Sequence, residues 1–89
     1  MKIAFDPVKD KRNLSKHHIS LDEAKNLEWD WLLAMQDTKK DYGELRIIGY
    51  APIGTRLFCV VFVDRGDERR IISLRKANYK EVKRYASEI

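Results

Sequence analysis

Leu57-Phe58-Cys59-Val60-Val61-Phe62-Val63 is the longest stretch of this chain without a polar side chain. It is far too short for a membrane-spanning helix. Its β-branched and aromatic residues favour a strand, and apolar side chains on both faces suit a central strand rather than an edge. Turn clusters bracket it. Pro52-Ile53-Gly54-Thr55 lies before it, so residues 45–51 and 57–63 form a hairpin; Arg65-Gly66-Asp67-Glu68 follows and leads into a strand over residues 69–75. A further strand is expected over residues 32–35, then a polar loop over residues 37–43. Four strands in this order make an antiparallel meander.

Helical signals lie on either side. Asp6-Pro7 reads as N-cap and first helical residue, because Pro lacks an N–H that would be orphaned there anyway. That helix runs to about Lys16, with Val8 and Leu14 as its few apolar anchors. Ser20-Leu21-Asp22-Glu23 has the spacing of a capping box and opens a second helix that buries Ala24, Leu27 and Trp31. Asn78-Tyr79-Lys80-Glu81 opens the last helix in the same way. Tyr79, Val82, Ala86 and Ile89 give that helix one apolar stripe. The expected fold is α+β: two N-terminal helices, a four-stranded antiparallel sheet and a C-terminal helix, with residues 1–89 forming one domain.

Charge is distributed unevenly. The net charge is +4, but residues 22–44 carry seven acids and three bases, residues 65–85 eight bases and three acids, and residues 1–20 five bases and two acids. If the two basic ends meet in space, they form a surface suited to a polyanion. With a single cysteine, Cys59, an internal disulfide and a cysteine-rich zinc site are excluded. His17 and His18 have no cysteine or carboxylate at ligand spacing, so no metal or other cofactor is expected. The N-terminus reaches Asp6 before any signal-peptide core has formed, which points to a cytoplasmic protein without a membrane partner.

Period-two alternation puts Arg70, Ile72 and Leu74 on one face of the strand 69–75, and Arg69, Ile71, Ser73 and Arg75 on the other. The second face is the expected functional one.

Arg70-Ile71-Ile72-Ser73-Leu74-Arg75-Lys76-Ala77, followed by Glu81 and Tyr85, resembles the BrnT toxin family. The N-terminal half is similar to it too: Phe5-Asp6-Pro7-Val8-Lys9, Asn13, Lys16-His17 and Ile19-Ser20-Leu21-Asp22-Glu23-Ala24 stand in the family's order, as do Gly43-Glu44, Arg46, Gly49 and Asp64-Arg65. The resemblance implies a RelE-like ribonuclease fold, cleavage of RNA with arrest of translation and growth, and neutralisation by a BrnA-like ribbon-helix-helix antitoxin. It also implies contact with operator DNA through that antitoxin. His18 departs from the family, which usually has Gly there.

Cleavage of RNA without a metal needs a base for the 2′-hydroxyl, a cation for the charge growing on the phosphate, and an acid for the leaving oxygen. Arg75 and then Arg65 suit the cationic role, since a guanidinium matches phosphate bidentately. His17 is the first choice for proton transfer; its alternative role is to cap the first helix. Glu81 and Tyr85 are further proton-transfer candidates, although Glu81 also fits the capping box and Tyr85 the core. Ser73 could orient a phosphate oxygen. Lys9, Arg12, Lys16, Lys76, Lys80 and Arg84 are the candidate phosphate-binding residues. Trp29, Trp31 and Tyr50 either stack bases or fill the core and the antitoxin interface. The alternative function is a non-enzymatic RNA- or protein-binding module, or a degenerate toxin, on the same fold.

Overall fold

The computed structural model describes residues 1–39 and 41–89; Lys40, inside the expected polar loop, lies outside the described residues. The strands are β1 (Lys2–Ala4), β2 (Leu33–Gln36), β3 (Ile47–Ile53), β4 (Arg56–Arg65) and β5 (Glu68–Lys76). The α-helices are α1 (Pro7–His17) and α2 (Tyr79–Glu88), and 3₁₀ turns span Leu21–Asn26 and Trp29–Trp31. The strands form one sheet in the order β1-β5-β4-β3-β2. β2 to β5 are the expected antiparallel meander, and β1 adds a fifth strand parallel to β5. The expectation of four strands missed β1 because three residues carry too little periodicity to register.

The second N-terminal helix is also corrected. Residues 21–26 and 29–31 form 3₁₀ turns instead. Ser20 does not complete a capping box with Glu23. Its hydroxyl donates to Asp10 (2.9 Å) and accepts from the Asp22 N–H, while Glu23 accepts from the Asn26 amide. Ala24 and Leu27 are buried as expected, but Trp31 is 57% exposed.

β4 is the middle of the sheet, as its apolar run requires. Phe58, Val60 and Phe62 face the core and pack with Ala51, Ile71, Leu74, Leu21, Ala24 and Leu27. Trp29 closes this side, its ring edge-on to Phe62 and its Nε1–H donating to Ala24 O. Gly49 lies opposite Val60, and a Cβ there would come within 2.5 Å of Leu32 Cδ1, so any other residue would require the Leu32 side chain to shift.

A bulge corrects the reading of β5 by alternation. Val61 pairs with Ser73 but Phe62 pairs with Ile71, so Ile72 is the extra residue. An inserted residue shifts the pleat by one. Arg69 and Ile71 therefore fall on the core side, Arg69 stacking over Trp29 and Phe62. Arg70, Ser73 and Arg75 lie opposite Val63, Val61 and Cys59 on the other, more open face.

α1 is docked by polar groups. Val8 and Leu14, its expected anchors, are exposed, and Asn13 is the buried residue. β1 covers β5 only over residues 68–70. Beyond it, the Asn13 amide donates to Leu74 O (2.7 Å) and accepts from Leu74 N–H (3.1 Å), as a neighbouring strand would. Asp10 adds a bond from the Leu21 N–H. α2 carries the expected capping box between Asn78 and Glu81. Its apolar stripe, however, is not buried: Tyr79 is 75% exposed and Val82 43%. The helix is held instead by polar side chains on its other side, Glu81 and Tyr85.

Candidate active site

α1 ends next to the open face of β5. Lys9, Arg12, Asn13, Lys16 and His17 from α1 and Ile72 and Ser73 from the bulge line a cavity of about 300 Å³. The local reason is the helical spacing. Lys9, Arg12, Asn13 and Lys16 recur at three and four residues, so they share one side of α1, and Asn13 pins that side to Leu74. The bulge then turns both Ile72 and Ser73 toward the helix. Among the described residues, Lys9, Arg12 and Lys16 form no ion pair, so their charge is available to a ligand.

His17 is the last residue of α1. Partial burial pulls its pKa below the ordinary 6.5, and the charges of Lys16, Arg75 and His18 add to this. The imidazole is therefore mainly neutral at pH 7 and able to accept a proton. The cap is the next residue: His18 adopts φ 61°, ψ 29°, and its N–H donates to Leu14 O.

Arg75, two residues beyond Ser73, does not line this cavity but its charge reaches His17, and it belongs to a tight network. It donates through Nη1 and Nη2 to the two carboxylate oxygens of Glu81, both at 2.9 Å. Tyr50 donates to Glu81 at 2.8 Å, and the Asn78 N–H donates to Glu81 at 2.8 Å. Chiefly through the Arg75 bond, and against its own partial burial, the Glu81 carboxyl is held down at about 2. It stays ionised and has no proton to give near neutrality. Burial, and then the Glu81 bond, push the Tyr50 hydroxyl well above its usual value. Cys59, buried opposite Arg75, is likewise pushed up by burial.

The other expected site residues are placed elsewhere. Arg65 shares the open face but lies six residues along β4 from the Arg75 partner Cys59, about 20 Å away at strand spacing. Its fork is bidentate to Glu44. Tyr85 donates to Trp31 O at 2.7 Å, toward the β2 side of the sheet. Lys76 and Lys80 are exposed at the α2 end and Arg84 pairs with Glu88; none of the three lines the cavity. Among the described residues, no three His, Cys, Asp or Glu side chains cluster as a metal site requires, and no helix is long and apolar enough to cross a membrane.

Three contributors carried little sequence signal of their own. Asn13 positions the site through its bonds to Leu74, and its one cue was its place in the family resemblance, which assigned it no role. Arg46 and Arg70 line an adjoining cavity with Lys9, Ile72 and Arg65; the bulge that places Arg70 there is invisible to alternation.

Fold and groove together define a small α+β protein with a five-stranded sheet, one face of which carries unpaired cations around a neutral imidazole. Residues 5–81 match the family described as ribonuclease toxin, BrnT, of type II toxin–antitoxin system, and the chain belongs to that family. A toxin of this type has RNA as its substrate and an antitoxin as its partner. None of the curated proteins compared with the chain matches it.

Proposed function

We propose that the chain is an endoribonuclease whose centre is the groove between α1 and the β5 bulge, and that it cleaves RNA without a metal. The observation that supports this most directly is the convergence of His17, Lys9, Arg12, Lys16 and Ser73 on one cavity, with Arg75 close enough to lower the His17 pKa. Neutral His17 takes the proton of the 2′-hydroxyl as its oxygen attacks the adjacent phosphorus. Arg12, Lys16 and the N–H groups of Arg75 not committed to Glu81 stabilise the charge that builds on the phosphate oxygens. Ser73 donates to one of those oxygens. The 5′-oxygen departs with a proton from water in the open groove, leaving a cyclic phosphate, and His17 returns its proton to solvent. Glu81 acts by fixing Arg75, and Arg65 and Tyr85 act outside the reacting centre. A BrnA-like ribbon-helix-helix antitoxin neutralises the toxin and carries it to operator DNA. Both act in the cytoplasm.

The test is cleavage of a defined RNA in the presence of chelator. The wild-type chain should cut it. His17→Asn should lose about 10²–10⁴-fold in rate, the range for a positioned acid–base group, while RNA binding stays within about twofold. Because His17 works unprotonated, the wild-type rate should rise with pH to a plateau, with an apparent pKa below 6.5. Intact RNA with undiminished binding by the wild type would favour the binding-module reading. That reading draws support from the pairing of both Arg75 and Arg65 with carboxylates.

A further inference from the structure

Beside the groove, Asp6, Lys9, Glu44, Arg46, Arg65, Arg70, Ile71 and Ile72 enclose a second cavity of about 240 Å³. It shares Lys9 and Ile72 with the first, so the two are continuous along the open face. Four cations and two carboxylates line it. Arg65 and Glu44 satisfy each other. Lys9 has no ion pair among the described residues, and Arg70 reaches Glu68 only at 3.3 Å. Both Arg46 and Arg70 keep a buried Nε–H with no acceptor. A buried donor without a partner is costly and uncommon, and here two occur on neighbouring guanidinium groups lining one cavity. The Arg46 guanidinium makes a cation–π contact, its Cζ 3.6 Å from the centroid of the Tyr42 ring. The two carboxylates are engaged elsewhere, Asp6 with the Val8 N–H and Glu44 with Arg65, so neither hydrogen-bonds to these Nε–H groups.

We infer that this cavity is a phosphate subsite, held by Arg46, Arg70 and Lys9, which takes a backbone phosphate of single-stranded RNA a few nucleotides from the linkage at His17. Arg70 pairs with Val63 four residues along β4 from Cys59, about 13 Å from the Arg75 position at strand spacing. A strand laid along the open face therefore meets the two cavities in succession. Lys9, common to both, bridges the phosphates between them. The subsite rests on the RNA reading of the groove for its natural ligand, but its capacity for a phosphate does not.

Two measurements separate these. In the first, inorganic phosphate is titrated into the isotopically labelled wild-type chain and the Arg Nε–H resonances are followed. Those of Arg46 and Arg70 should shift together and saturate; if neither moves at phosphate concentrations that shift other basic residues, the subsite is refuted. In the second, binding of 2′-O-methyl oligonucleotides, which cannot be cleaved, is compared at two and six nucleotides. The longer probe should bind more tightly, and the combined Arg46→Gln and Arg70→Gln variant should lose most of that gain. It should also lower the slope of log affinity against log salt by about 0.7, the value for one neutralised single-strand phosphate. Unchanged length dependence and slope in the variant would refute the subsite while leaving the cleavage centre standing. A response to inorganic phosphate without binding of either oligonucleotide would retain the anion site and overturn the RNA reading.

Discussion

His18 is the one non-glycine residue with positive φ among the described residues, at φ 61°. It closes α1 in the left-handed conformation that a helix end commonly adopts and that Gly adopts without steric cost. An L-residue there is strained by about 1–2 kcal/mol, and the exposed imidazole has little packing with which to offset it. Against this, Gly adds freedom to the unfolded chain. His18→Gly should therefore stabilise the protein by about 0.5–1 kcal/mol, read as a higher urea midpoint at unchanged slope. It should also raise the His17 pKa slightly, because the His18 charge is among the causes that depress it. The strain follows from the turn that the chain has to make into Ile19. The neighbours of Asn13 on α1 read as a solvated basic helix, and nothing local showed that its amide completes the ladder of β5 at Leu74, sixty-one residues away.

At the scale of elements, the meander and α2 were legible because their signals are local: an apolar run, glycine turns and an N-cap three residues before Glu81. β1 and the β5 bulge were not, because each is defined by a partner strand. α2 differs from the other elements in how it is held. Its polar side is tied to the sheet by Glu81 and Tyr85, and its apolar stripe is open to solvent. The anchoring is thus electrostatic and pH-sensitive. The folded-state pKa of Glu81 is lowered from 4.5 to about 2. A lowered carboxylate contributes stability that is complete above the unfolded value and is lost as pH falls toward the folded one. The window is therefore pH 4.5 down to about 2. Because Arg75 remains 34% exposed, solvent screening reduces the contribution to about 1–2 kcal/mol. Urea unfolding followed by circular dichroism should show Glu81→Gln less stable than wild type by at least this amount at pH 6, with the gap narrowing at pH 2.5. An equal gap at both pH values would mean that the Arg75–Glu81 pair contributes nothing to holding α2.

Over the whole molecule, the fold joins two basic ends of the chain that are separated by an acidic middle. The sequence carried the charge asymmetry; the packing of α1 on β5 through Asn13 makes it one surface. Lys9 of α1 and Arg70 of β5 then line one cavity, while the acids of residues 22–30 follow the 3₁₀ turns that cover the opposite side of the sheet. Lys9, Arg12 and Lys16 carry no folding duty that the structure shows: they form no ion pair among the described residues, and the buried anchor of α1 is Asn13. Replacing all three with Gln should leave the melting temperature within about 2 °C, as expected of surface substitutions away from structural features. It should weaken binding of single-stranded RNA by a similar factor whatever the sequence, because groups that bind phosphates supply affinity and position but no base readout. The slope of log affinity against log salt should become shallower by about 0.7 for each phosphate no longer neutralised, up to about 2 in all. If the variant instead discriminated between RNA sequences differently from wild type at an unchanged salt slope, these side chains would be reading bases, and the groove would not be the phosphate track that its charge describes.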